Sequence, residues 1–185
     1  MKANFIVMIM ILIIVAFFIG CVSNEKNGTS TATFNSAVNA SLQPDTVFKG
    51  QGYTISIPSS WKTRQEVSKS NWINEIMDFG DGKSLLMISR QPNPNPESTT
   101  ETAVADMKQK YKNKGITIDV EEQTTVGGLP ATRLIFKDGS SGTKYMQILT
   151  TKDNHALIIQ YSSWPDLFDQ KVSKINDIIN TLKFE

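Results

Sequence analysis

Between Ile116 and Ser162 the chain falls into short runs, "ITIDVEE", "ATRLIFK", "TKYMQILTT" and "ALIIQYS", separated by "GGLP", "DGSSG" and "KDNH". Each run alternates or concentrates β-branched and aromatic residues over strand length, and each separator is turn-forming chemistry. Connections this short can only join antiparallel neighbours, because a parallel crossover needs a dozen or more residues. This stretch therefore commits the chain to an antiparallel sheet.

The flanking sequence adds to that sheet. In "GYTISIPSSWK", Tyr53, Ile55 and Ile57 alternate with Thr54 and Ser56, the period of a half-buried strand. Pro58 ends it, and Trp61 follows in a turn where its ring can cover the edge of the core. "WINEIMDF", "GDGK" and "SLLMISR" read as a hairpin around Asp81-Gly82. "QPNPNPE" then gives an extended spacer.

Two helices are predicted. The first starts at Ser98, which with Glu101 has capping-box spacing. It carries Val104, Met107 and Tyr111 on one face and stops at Gly115. The second begins near Trp164 with Ser163 and Asp166 as its cap, and carries a stripe of Phe168, Val172, Ile175, Ile179 and Leu182. The order of elements predicts an α+β fold, an α-β-α sandwich with a central antiparallel sheet of about six strands and two main helices.

A first strand ending in "IPSSW", a later "GGLPA" ahead of a strand, and a closing helix ending in "TLKF" resemble the PsbP family. The resemblance spans Val47 to Phe184. It implies the same sandwich, and a protein that stabilises larger complexes or assists their assembly without catalysing a reaction. Founding members are lumenal extrinsic subunits of photosystem II, and similar domains occur as prokaryotic lipoproteins. Photosystem II binding depends largely on an N-terminal segment whose place is taken here by a different sequence, so no binding residue and no photosynthetic role carries over.

That N-terminal sequence points to the membrane. Lys2 precedes an unbroken apolar run, Phe5 to Ile19, with the length and flanks of an export signal. The run is short for a spanning helix, which needs about 20 apolar residues. It ends in "FIGC", which resembles the lipobox of prokaryotic lipoprotein precursors, although Phe18 stands where Leu is usual. The resemblance implies cleavage before Cys21 and a diacylglycerol on its thiol. Two acyl chains hold a protein where one gives only marginal binding. A retained, uncleaved N-terminal anchor is the alternative, and either way the rest of the chain faces the cell exterior. Cys21 is the only cysteine, so the folded part has no internal disulfide.

Residues Val22 to Thr46, rich in Ser, Thr, Asn and Ala, lack the apolar side chains to offset their chain entropy and read as a tether. The expected organisation is a signal over residues 1–20, a lipidated cysteine and tether over 21–46, and one domain over 47–185. Asn27 and Asn39 stand in glycosylation sequons. With Lys2 set aside, the basic residues equal the 18 acidic ones in number. Such a balance offers no footprint for nucleic acid and no polybasic signal for anionic lipid.

Motifs for chemistry are weak. "DFGDGKS" contains fragments of kinase and phosphate-loop signatures, but a phosphate loop needs Gly at the position of Met77, so the segment reads as a hairpin turn. His155 is the only histidine, there is no "GxSxG" elbow, and the carboxylates are scattered. Asp119 and Glu121 fall on one strand face and Glu122 on the other. Asp78 with Asp81, or Asp138 near Asp153, are pairs that loops could bring together.

No catalytic residue, metal or cofactor is expected. Of the aromatic residues, Trp72 in "SKSNWINE" is the favoured partner contact. The sequence thus reads as a non-catalytic, membrane-anchored binding or complex-assembly module with a protein partner. A cell-surface hydrolase, or a small-ligand or metal-binding protein with a loop-built site, is the alternative.

Overall fold

Turn chemistry sets the sheet. In a computed structural model describing residues 44–70, 72–92 and 98–185, β6 (Ile118–Val126) and β7 (Leu129–Lys137) are joined through Gly127 and Gly128. β8 (Lys144–Lys152) and β9 (His155–Ser163) are joined through Asp153 and Asn154. All four turn residues have positive φ, between 48° and 81°. That is the backbone of two-residue turns whose twist matches paired strands.

Directly before this block along the chain come β3 (Lys62–Val67), β4 (Ile73–Asp78), β5 (Ser84–Pro92) and α1 (Thr100–Asn113). After β9 comes α2 (Pro165–Ile179). The main sheet is antiparallel with seven strands in the order β3-β4-β5-β9-β8-β7-β6. A separate three-stranded sheet contains β1 (Thr46–Gly50), β2 (Tyr53–Ile57) and β10 (Lys183–Phe184), in the order β1-β2-β10.

The two helices cover opposite faces. Along β8 and β9, Met146, Ile148, Ile159 and Tyr161 join one core with Phe168 and Ile175 of α2 and with Tyr53 and Ile55 of the small sheet. Their sequence neighbours Leu149 and Ile158 join a second core with Val104 and Tyr111 of α1. Period-2 alternation of a two-sided sheet requires this division. The architecture is the expected α-β-α sandwich. The chain end is sewn into it: Thr181 Oγ1 accepts from Ser56 N at 2.8 Å and donates to Ile178 O at 2.7 Å, and Lys183 and Phe184 pair with Thr54 and Tyr53.

Several expectations are corrected. The Tyr53–Ile57 strand belongs to the small sheet and not to the central one. β1, β3 and β10 have no strand signal in the sequence, and β3, "KTRQEV", is exposed along its whole length. The first helix is capped one residue later than Ser98, by Thr99, whose Oγ1 accepts from Thr102 N. Ser163 does not cap α2, since its hydroxyl is 2.9 Å from Ser84 Oγ inside the sandwich. Trp164 occupies the cap position without a side-chain bond, and Pro165 starts the helix with a suitable fixed φ. Asp119 falls at an irregularity in the β6–β7 register, so it does not share a regular strand face with Glu121. Among the described residues, no helix is long and apolar enough to cross a membrane.

Candidate functional site

The polar groups enclosed between the sheet and α2 are the obvious place to look for chemistry. Asp81, in the β4–β5 turn, accepts from Lys83 N and Ser84 N at 2.8 Å each through Oδ1. Its Oδ2 accepts from Lys171 Nζ at 2.5 Å. Partial burial pushes the Asp81 carboxyl up, but the Lys171 hydrogen bond, the Lys83 amide, Ser84 and the Lys171 charge outweigh it and hold it below the usual carboxylate range. Lys171 projects inward from α2 and is 6% exposed. Its ammonium also lies 3.4 Å from Ser84 Oγ and 5.6 Å from the Phe79 ring centroid.

A lysine beside a serine hydroxyl is a nucleophile–base juxtaposition. Here, however, Ser84 and Ser163 are each 1% exposed, so no substrate carbonyl can reach either oxygen. Lys171 is committed to Asp81. Burial pushes the neighbouring Tyr161 phenol up to about 12, with Ser163 and Ser84 opposing the rise. The group ties the β4–β5 turn to α2. The "DFGDGKS" segment is accordingly a hairpin turn, with Phe79 stacked between Trp61 and Tyr161 at centroid distances of 3.9 and 5.9 Å.

A second buried group links the sheets. Glu75 of β4, 4% exposed, accepts from the Tyr53 hydroxyl, from Gln51 N at 3.2 Å and from Gln65 Nε2 at 3.3 Å. Burial first, then the hydrogen bond and charge of Glu75, push the Tyr53 phenol far above its ordinary value. Gly50 lies against this pair. A Cβ there would overlap the Tyr53 ring and stand 2.6 Å from Glu75 Oε2, so only glycine lets β1 approach. On the α1 side, Tyr111 donates to Gln147 Oε1, and Gln147 Nε2 donates to Gln160 Oε1 at 2.6 Å. Burial raises the Tyr111 phenol well above normal, against the opposing Gln147 bond.

Sequence reasoning missed both ionisable groups, although their positions carried a signal. Glu75 shares a strand face with Met77 two residues on, and Lys171 lies between Phe168 and Ile175 on the buried stripe of α2. The scattered carboxylates do not converge. Asp78 accepts from Gly80 N, and Asp138 accepts from Ser140 and Ser141. Asp153 pairs with Lys152, Glu121 with Lys108, and Glu122 with Arg133. His155 Nδ1 lies 2.7 Å from Asp153 O and 3.3 Å from the Arg90 guanidinium. Among the described residues, no three His, Cys, Asp or Glu are placed to hold a metal ion.

Trp72 is half-buried at the β3–β4 turn, where its backbone N donates to Ser68 Oγ at 3.0 Å and its carbonyl accepts from Ser68 N at 2.8 Å. Trp164, at the other end of β4, is 63% exposed, with Lys83 Nζ 5.8 Å from its ring centroid. Trp61, Tyr53 and Tyr161 are core residues. Cys21, Asn27 and Asn39 lie outside the described residues.

These layers and connections define a PsbP-like α-β-α sandwich. The solution structure of cyanobacterial PsbP from Synechocystis sp. PCC 6803 matches with a TM-score of 0.58 and 13% identity, over 76% of this chain and 92% of its own. A Pseudomonas aeruginosa protein of unknown function matches with a TM-score of 0.51 and 13% identity, over 74% and 94%. A Bacteroides thetaiotaomicron structure matches with a TM-score of 0.50 and 13% identity, over 72% of this chain and 45% of its own. At these identities the likeness is one of fold. The sequence matches no family profile and no curated protein.

Proposed function

We propose that this chain is an extracytoplasmic lipoprotein, held at the cell membrane through lipid on Cys21, whose folded head binds a protein partner and assists or stabilises a larger complex without catalysis. The observation that carries the reading is the single cysteine placed directly behind an apolar, export-type run in "FIGC". The head adds support from its chemistry. Its enclosed ionisable groups, Lys171 with Asp81 and Glu75 with Tyr53, are used in joining elements. Its aromatic surface, Trp164 and part of Trp72, suits a partner contact. Cyanobacterial PsbP lends a common fold to this reading, and nothing about partner identity.

A hydrolase is the second reading; it rests on the Lys171–Ser84 approach and requires that site to open, because Ser84 is 1% exposed and Lys171 is held by Asp81. Photo-crosslinking from Trp72 and Trp164 in intact membranes separates the two. The proposal expects a defined protein attached at one of these positions. Recovery of only the uncrosslinked chain under many growth conditions, together with a hydrolytic activity lost in Ser84→Ala, contradicts it.

A further inference from the structure

The strand β3 ends the main sheet, and among the described residues it pairs only with β4. All six of its residues are exposed, including Val67 at 65%. Its backbone polarity follows from the register. Ser68 N donates to Trp72 O, one step beyond the Val67–Ile73 pair, so Lys62, Arg64 and Glu66 turn their N–H and C=O groups toward β4. The alternate residues Thr63, Gln65 and Val67 turn theirs to the open edge. The two-residue turn at Asp153 and Asn154 leads to the same assignment when the alternation is counted across β9, β5 and β4.

An open edge of this kind is a template for another strand, and proteins usually blunt it with charge. The charges on β3 are arranged otherwise: Arg64 and Glu66 flank Gln65 symmetrically, with opposite signs, on one face. Within one chain they satisfy each other along the strand at 3.1 Å.

We propose that β3 pairs antiparallel with β3 of a second copy of this chain, about a two-fold axis through Gln65, joining two seven-stranded sheets into one. In that register Gln65 faces Gln65, and Thr63 faces Val67 of the second copy. All of these are residues with outward backbone groups, giving about six new hydrogen bonds. Arg64 falls opposite Glu66 of the second copy and Glu66 opposite its Arg64, in the closer, non-hydrogen-bonded pairs where opposite charges attract. Val67 loses its exposure against Thr63. Moving the two-fold to Thr63 sets Arg64 against Lys62, and moving it to Val67 leaves Glu66 against Ser68, so the charges single out the Gln65 register. This inference goes beyond the proposed function and holds whether or not Cys21 carries lipid.

The test is sedimentation of the full-length chain in detergent, as wild type, Arg64→Glu, Glu66→Arg and the double reversal. The expected result is a wild-type dimer, weakened about tenfold by either single reversal, which places like charges opposite one another twice, and restored by the double reversal. Thermal melts of the diluted, monomeric chains should be unchanged across the set, because both side chains are exposed. A Gln65→Cys variant should oxidise to a dimer whose digest contains the peptide spanning that position joined by a disulfide to its own copy. A chain monomeric at about 100 µM in detergent, single reversals without effect on the dimer, a double reversal that fails to restore it, or absence of the self-linked peptide from a dimeric sample overturns the proposal.

Discussion

On one face of the seven-stranded sheet, α2 and the three-stranded sheet together enclose a continuous core from Trp61 through Phe79, Tyr161 and Phe168 to Ile175. On the other, α1 packs Val104 and Tyr111 onto Leu134, Phe136 and Leu149, over β7 and β8. Toward β3 that second face carries Arg64, Glu66, Asn74 and half-buried Met87. Constraint is therefore uneven across the sheet. The α2 face is closed by two layers, and the charges it encloses are paired there, Lys171 with Asp81 and Glu75 with the Tyr53 hydroxyl, while Trp61 Nε1 and the Tyr161 hydroxyl are buried without a hydrogen-bond partner among the described residues. The α1 face is shallower: toward β3 it buries Ile76 and Ser89, while Arg64 and Glu66 at its edge are exposed.

Truncation tests that contrast most severely. Phe168→Ala removes a fully buried ring from the α2 face and should cost about 3–5 kcal/mol. Val104→Ala on the α1 face should cost about 1–2 kcal/mol, the worth of two buried methylene-sized groups. Equilibrium denaturation reads both, and equal losses would erase the distinction between the faces.

Lys171→Met keeps the length of the side chain and removes its ammonium. Asp81 retains two backbone donors and is partly exposed, so the loss at neutral pH should be about 1–2 kcal/mol, below the range for a fully buried pair. Asp81 is held below its ordinary range in the fold. Its contribution is therefore present above the unfolded value near about 4 and fades as pH falls through the folded value. Melting temperatures taken from about pH 6 down to pH 2 should converge for wild type and variant. A gap that is constant with pH would show that the pair contributes packing and not charge.

A still smaller loss is expected from Tyr111→Phe. It removes one hydroxyl from the Tyr111–Gln147–Gln160 chain, and Gln147 keeps Gln160, so the loss should be about 0.5–1.5 kcal/mol. A loss as large as that of Phe168→Ala would mean that the α1 face is the more constrained one.

Legibility in the sequence follows the range of the cause. The β6–β7 and β8–β9 hairpins rest on turn residues adjacent to their strands, so "GGLP" and "KDNH" announce them. β3 has no apolar alternation because an edge strand need bury nothing, and β1 and β10 exist only through pairing with β2, which for β10 spans the length of the domain. The cap at Thr99 differs from Ser98 by one residue, a distinction that the spacing of polar residues does not resolve. Of the buried groups, Lys171 and Glu75 sit at core-facing intervals, but a charge at such a position is legible only once its partner, 90 residues away for Lys171 and 22 for Glu75, is in view.

The functional reading stands on the proposal that the folded head is tied to the outer face of the membrane through Cys21. The intact mass and N-terminal peptide of the chain purified from its native membrane decide it. A mature chain beginning at Cys21 and carrying a diacylglycerol is expected. Residues 1–20 still attached, with an unmodified Cys21 thiol, would contradict it.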